Sequence, residues 1–140
     1  MSKRLLAVVL ITFAVPACQT DSRQQILATT QSAVQLRSYQ TRAFDTVDRQ
    51  KTLRTVIATL QDLGFVIDKA DATLGTVSAT KLDRYALRMT VTVRERGTTQ
   101  TLVRANAQFN ITAVEDPKPY QQFFEALQKA MFLTAHEVDG

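Results

Sequence analysis

Between residues 48 and 63, apolar residues recur every three or four positions, which is the spacing of one face of an amphipathic helix. Residues 45–48 (DTVD) offer N-cap oxygens for the first turn, and Gly64 stands where a helix commonly ends in the left-handed conformation. The pattern therefore predicts a helix over 48–63 with one buried face. The apolar stripe consists of Leu53, Val56, Ile57, Leu60 and Leu63.

After this helix, apolar and polar residues alternate, which predicts strands with one buried and one solvated face. Asp71 and Gly75 supply turn chemistry within 68–76, a loop is expected at 81–84, and Gly97 lies in the turn between the two longest strands. These two form an antiparallel hairpin. The predicted strands are an extended segment before the helix at 38–45, and then 65–67, 76–81, 85–95 and 101–111.

A second helical stripe follows the strands and predicts a helix over about 119–134. Asp116 can cap it, and a proline is tolerated in the first helical turn. Its apolar positions are Tyr120, Phe123, Phe124, Leu127, Ala130 and Met131, widened by Phe132 and Leu133. The order β-α-β-β-β-α predicts an α+β two-layer sandwich, in which an antiparallel sheet of about four strands carries both helices on one face.

The N-terminus has the pattern of an export signal. Lys3 and Arg4 precede eleven apolar residues at 5–15, which are too few to span a bilayer but fit the apolar part of a signal peptide. Residues 15–18 (VPAC) resemble a lipobox with Cys18 as the acylated residue, although Pro16 departs from the usual pattern. The alternative is a plain signal peptide cut after Ala17, which leaves Cys18 as a free thiol.

This N-terminus divides the chain into three parts. Residues 1–17 are predicted to be a lipoprotein signal peptide, 18–37 a lipid-anchored cysteine with a flexible tether in which a short helix can form, and 38–138 a single periplasmic domain. Acyl chains such as palmitate on Cys18 would hold the protein on a membrane. Gln19, where an Asp would favour inner-membrane retention in similar lipoproteins, indicates the outer membrane of a Gram-negative bacterium.

Composition argues against several function classes. Removing residues 1–17 leaves 17 − 2 = 15 basic residues against 13 acidic ones, so the net charge falls from +4 to +2 and nucleic-acid binding is not favoured. His136 is the only histidine and Cys18 the only cysteine, so no metal-ligand spacing is present, and no phosphate-binding glycine loop occurs. We therefore expect no enzyme activity, no metal and no cofactor.

Two groups of residues are candidates for binding. The polar face of the hairpin is either a plain solvated face or a contact surface for an acidic partner, anionic head groups or peptidoglycan. An aromatic cluster on the last helix either packs on the sheet or forms part of an apolar cleft for a lipid or peptide. The first group is Arg88, Arg94, Arg104, Asn106 and Asn110, and the second is Tyr120, Phe123 and Phe124.

The segment 44–81 (FDTVDRQKTLRTVIATLQDLGFVIDKADATLGTVSATK) resembles small Gram-negative lipoproteins. The predicted order of elements also resembles the helix-grip domain of BamC-like (NlpB) lipoproteins. This resemblance implies a non-enzymatic accessory module that binds a protein complex of the envelope, in assembly, efflux or secretion. No site residue carries over from it. The alternative function is a carrier that holds a lipid or small apolar ligand in a cleft under the C-terminal helix.

Overall fold

A seven-stranded antiparallel sheet and three helices make up the part of the chain that the computed structural model describes, residues 32–83, 85–133 and 135–138. Helix α1 covers 32–40, α2 Arg49–Asp62 and α3 Lys118–Met131. The fold is therefore α+β, as predicted. The strands are β1 Thr41–Phe44, β2 Val66–Asp71, β3 Thr76–Asp83, β4 Tyr85–Arg96, β5 Gln100–Phe109, β6 Thr112–Ala113 and β7 Ala135–Glu137.

The predicted signal peptide, Cys18 and most of the predicted tether lie outside the described residues. The last part of the tether segment, 32–37, belongs to α1, where Leu36 packs against the core. The same helix takes in residues 38–40, so the extended segment expected at 38–45 is reduced to β1. Helix α1 is thus joined directly to the first strand.

The sheet has the order β2-β3-β4-β5-β1-β7. The short strand β6 pairs with the same edge of β5 as β1 does, but further along β5. The four strands β2 to β5 follow one another as a meander, which is the part that the alternating pattern predicts. The sheet is larger than the predicted four strands, because β6 and β7 join it beyond β5 in addition to β1, the strand expected before the first long helix. β6 and β7 are two and three residues long, too short to show an alternating pattern of their own.

Two boundaries within the meander also differ from the prediction. Residues 68–71, expected in a turn or bulge, continue β2 beyond a bulge-like register shift at Ile67–Lys69. Residues 81–83, expected in a loop, continue β3. Both segments stay paired with the neighbouring strand, β3 in an unbroken register with β4 and β2 after a register shift between Ile67 and Lys69. The pairing provides partners for backbone groups that a loop would leave to water. The turn between β2 and β3 is therefore confined to 72–75.

The core lies between one face of the sheet and the helices α2 and α3. The inward residues of β3, β4 and β5 meet the apolar stripes of both helices in one continuous cluster. The predicted stripe of α2 is confirmed, with Leu53, Val56 and Leu60 buried and Ile57 and Leu63 packed at the margin. The sheet members of the cluster include Val77, Ala79, Met89, Val91, Val93, Val103, Ala105 and Ala107.

Local capping sets the ends of both long helices. Asp48 Oδ1 accepts a hydrogen bond from the Lys51 N–H at 2.8 Å, and Gly64 follows α2 with φ +86°. At α3 the N-cap is Pro117, and the carboxylate of Asp116, one residue earlier, accepts a hydrogen bond from the Lys118 N–H at 2.9 Å. Helix α3 ends at Phe132, which has φ 56° and is 94% exposed, so Phe132 does not widen the buried stripe as predicted.

Gly75 is required for a close approach at the start of β3, and alanine there is expected to destabilise the fold by about 3 kcal/mol. Its φ is +68°, and an added Cβ would lie 2.5 Å from both Val93 O and Arg49 Nη2. Gly97 is the matched control, because its φ is +59° but no described atom lies within 4 Å of its Cβ position. Gly97→Ala should cost only about 1 kcal/mol. Urea unfolding measures the free energy of unfolding of both variants. Equal decreases in Gly75→Ala and Gly97→Ala would contradict the close approach assigned to Gly75.

Candidate functional site

The outer face of the sheet, on the side opposite to the helices, carries the predicted polar candidates. Arg88 and Arg94 project from β4 and Arg104 and Asn106 from β5, and all four are exposed. The structure places Asn110 elsewhere, in the turn between β5 and β6, where its φ is 54°. We call the first four residues, with the half-buried Thr90 and Thr92 between them, the arginine face.

Two arginines of this face lie next to each other. Thr92 is paired with Arg104 and Arg94 with Leu102, so Arg94 and Arg104 are diagonal neighbours, with Cα atoms roughly 7–8 Å apart. Both line a shallow depression of about 240 Å³, and Arg88 lines a second one, of about 280 Å³, that shares Asn106 with the first. Within the described residues, none of the three arginines takes part in a salt bridge. Their positive charge is therefore available to an external anion.

A cleft of about 220 Å³ opens at the end of the sandwich where the β3–β4 turn meets the start of α3. Its apolar lining comes from the end of α2, from β4 and from the last residue of β5. Lys81 of β3 and Pro119 and Gln122 of α3 complete the lining. The apolar residues are Leu63, Phe65, Tyr85, Leu87, Met89 and Phe109.

Aromatic rings define the mouth of this cleft. Tyr85 and Phe109 form an edge-to-face pair with ring centroids 6.1 Å apart, and both are exposed. The Lys81 ammonium lies 5.9 Å from the centroid of the Phe65 ring, a distance at which the ring quadrupole attracts a cation. The cleft thus combines an apolar interior with a single cationic group.

The aromatic cluster predicted on the last helix is part of the core. Tyr120 and Phe123 have no exposed surface, Phe124 is 3% exposed, and the Phe123 and Phe124 rings pack edge to face. A cleft does lie beneath α3, but Pro119 and Gln122 line it, and these three residues do not. The sequence interpretation in which the cluster packs on the sheet is the one that matches this placement.

At the edge of the sheet, a polar network that the sequence does not predict joins three residues that lie far apart along the chain. Gln100 Nε2 donates to Asp45 Oδ1 at 2.8 Å, and His136 Nε2 lies 2.8 Å from Asp45 Oδ2. His136 belongs to β7, which pairs with β1 just before Asp45. The network therefore ties the end of the described chain to the first strand.

The Asp45 network leads to a prediction for pH dependence. Hydrogen bonds from Gln100 and then His136 hold the pKa of the Asp45 carboxyl below its ordinary value of 3.8. A lowered pKa adds stability above 3.8, and this contribution is lost as the pH falls through the lowered pKa. By NMR, we expect Asp45 to titrate with a midpoint below 3.8, and Gln100→Ala to raise that midpoint. A midpoint at or above 3.8 in the unchanged protein would refute the network.

The described part of the chain contains neither a membrane-spanning helix nor a metal-binding cluster. No helix there is both long and apolar enough to cross a bilayer. No group of three or more His, Cys, Asp or Glu side chains in that part of the chain is arranged to hold a metal ion. No protein-family model matches this chain, and no curated protein matches it.

Proposed function

We propose that the protein is a lipid-anchored lipoprotein of the Gram-negative envelope, without enzyme activity, whose domain binds an acidic surface of an envelope protein complex through the arginine face. Arg94 and Arg104, which are adjacent, exposed and without a carboxylate partner in the described structure, are the observation that carries this proposal. The order of elements predicted from the sequence, which resembles that of BamC-like helix-grip domains, supports an accessory role in assembly, efflux or secretion.

The proposed chemistry of recognition is charge-assisted hydrogen bonding. Two guanidinium groups at diagonal positions of a sheet repel each other, and an anion that binds between them offsets this repulsion. A guanidinium presents several N–H donors in a plane and binds a carboxylate in a bidentate manner. Asn106 and Thr92 add neutral donors and acceptors between the charges. A flat face of this kind fits Asp and Glu side chains on a partner protein.

The partner is tested in cells by placing a photo-crosslinking amino acid at Thr92, in the middle of the arginine face. We expect a discrete crosslinked protein, which disappears when Arg94→Glu and Arg104→Glu are combined. Arg54→Glu is the matched control, because Arg54 is exposed on α2, on the helix side of the sheet. Crosslinks that are unchanged by the double reversal, or equally reduced by Arg54→Glu, would overturn the proposal.

The lipid anchor is tested separately at Cys18. Cells fed labelled palmitate should incorporate it into the unchanged protein and not into Cys18→Ala, and the variant should leave the membrane fraction. Absence of label from both proteins would favour a plain signal peptide cut after Ala17. Sucrose-gradient separation of the two membranes tests the proposed outer-membrane location, which rests on Gln19.

A second function, a carrier of a small apolar ligand, is favoured by the cleft beneath α3. Six apolar residues converge there around a volume of about 220 Å³. Native mass spectrometry of the protein purified from envelopes should detect a bound ligand, and Phe109→Asp should remove it. Ile111→Asp is the control, because Ile111 is exposed near the same end of the sheet but does not line the cleft. Purified protein free of ligand would count against a carrier.

A further inference from the structure

Lys81 is the only charged residue among the described residues that line the cleft. Its side chain is half-buried and passes over the end of α2, where its Cε would lie 3.6 Å from a Cβ on Gly64. Partial negative charge on the terminal carbonyls of a helix favours a cation at this position. The ammonium group therefore lies at the rim of an apolar space, close to the end of α2 and to the Phe65 ring.

A lysine can cover apolar surface with its methylene stem and keep its ammonium group in water. This ordinary arrangement accounts for the contact between Lys81 and Phe65, but it provides no counterion from the described side chains. No salt bridge involving Lys81 occurs among the described side chains. A cation beside an apolar cleft is complementary to a ligand that carries one anionic group next to an apolar part.

The volume of the cleft limits the size of the apolar part of such a ligand. A cavity of about 150 Å³ holds benzene, and pockets for drug-sized ligands occupy about 300–1,000 Å³. At about 220 Å³, the cleft accommodates one ring or the end of one alkyl chain. A diacyl lipid exceeds this space, so the volume favours a ligand with a single short apolar group.

We propose that the cleft binds a single-chain anionic amphiphile, such as a medium-chain carboxylate, with its chain against Phe65, Leu87 and Met89 and its charged end at Lys81. This inference rests on the carrier function proposed above, and it adds the charge and the size of the ligand. Charge complementarity with Lys81 supports the negative charge of the ligand, and the cleft volume supports its small size.

The test compares octanoate with octan-1-ol, two probes with the same chain length that differ in charge. Each is titrated into the mature chain, residues 18–140, and binding is followed by the methyl resonance of Met89. The mature chain has one other methionine, Met131, which lies at the far end of α3 and serves as an internal reference. We expect octanoate to bind about three- to tenfold more tightly than octan-1-ol.

Lys81→Gln should abolish this preference by weakening octanoate binding to about the affinity of octan-1-ol. A shift of the Met89 resonance that octan-1-ol still produces in this variant shows that the cleft remains folded. Lys69→Gln, at an exposed position of β2, should keep the preference. Equal affinity for both probes in the unchanged protein would overturn the inference and leave the carrier function standing. If neither probe shifts the Met89 resonance, both the inference and the carrier function are overturned.

Discussion

Leu60→Ala is expected to lower the free energy of unfolding by about 2–5 kcal/mol, because it removes buried methyl groups and leaves a cavity. Leu60 lies on the buried stripe of α2, has no exposed surface and belongs to the core cluster shared by the sheet and α3. The helix cannot close the gap without disturbing its contacts with both neighbours. Equilibrium unfolding in urea measures the loss as a lower midpoint with an unchanged slope.

Leu74→Ala is the matched control for this loss. Leu74 lies in the turn between β2 and β3 and is 64% exposed, so the same truncation there should change stability by no more than about 0.5 kcal/mol. A change below about 0.5 kcal/mol in Leu60→Ala would mean that the stripe of α2 does not face the core.

Tyr120→Phe is expected to cost about 2–3 kcal/mol, although it removes a single oxygen atom. The Tyr120 hydroxyl donates to Val114 O at 2.7 Å and accepts from the Ala107 N–H at 3.2 Å and from Gln40 Nε2 at 3.4 Å. All these groups are buried, so phenylalanine leaves them without their partner and away from water. Urea unfolding of the purified variant measures the cost.

Tyr85→Phe provides the comparison, because Tyr85 is 68% exposed at the mouth of the cleft and its hydroxyl can be replaced by water. Its unfolding free energy should stay within about 0.5 kcal/mol of the unchanged protein. Similar losses in both variants would contradict the role assigned to the buried hydroxyl.

The hydroxyl of Tyr120 also bears on the candidate cleft. It connects the first turn of α3 with β5 and with the end of α1, next to Pro119 in the cleft wall. One side of the cleft is therefore built on a fixed, buried contact, whereas its mouth is formed by the exposed rings of Tyr85 and Phe109. This division suits a site whose wall is rigid and whose entrance is accessible.

The two candidate surfaces lie on different parts of the domain. The arginine face is on the outer side of the sheet, and the cleft lies on the helix side at one end. Charge reversal at Arg94 and Arg104 should therefore leave the cleft probes unaffected, and Lys81→Gln should leave the Thr92 crosslinks unaffected. The binding experiments can then assign each function to its own residues.

Helix α2 and the hairpin of β4 and β5 were predictable from the sequence alone. In each, the repeat of apolar residues matches the geometry of the element, with a period near 3.6 in α2 and of 2 in the strands. Local chemistry also marks the ends, as at Asp48 and Gly64. The exposed positions of Arg88, Arg94 and Arg104 follow directly from the same alternation.

The cleft and the Asp45 network could not be predicted from the sequence pattern. Asp45 is 55 residues from Gln100 and 91 residues from His136, and their contact depends on β1 pairing with both β5 and β7. The cleft draws residues from α2, β3, β4, β5 and α3, none of which has a local pattern that marks it as a wall.

The sequence by itself therefore determined which face of each long element is apolar, because that property depends only on residues three or four apart, or two apart, along the chain. The tertiary structure alone decided which short segments join the sheet and where the packed layers leave a space. Those outcomes depend on backbone hydrogen bonds and side-chain volumes that meet only after distant segments have come together. For this reason the hydrogen bonds of the buried Tyr120 hydroxyl and the position of Lys81 at the cleft emerge only from the folded domain.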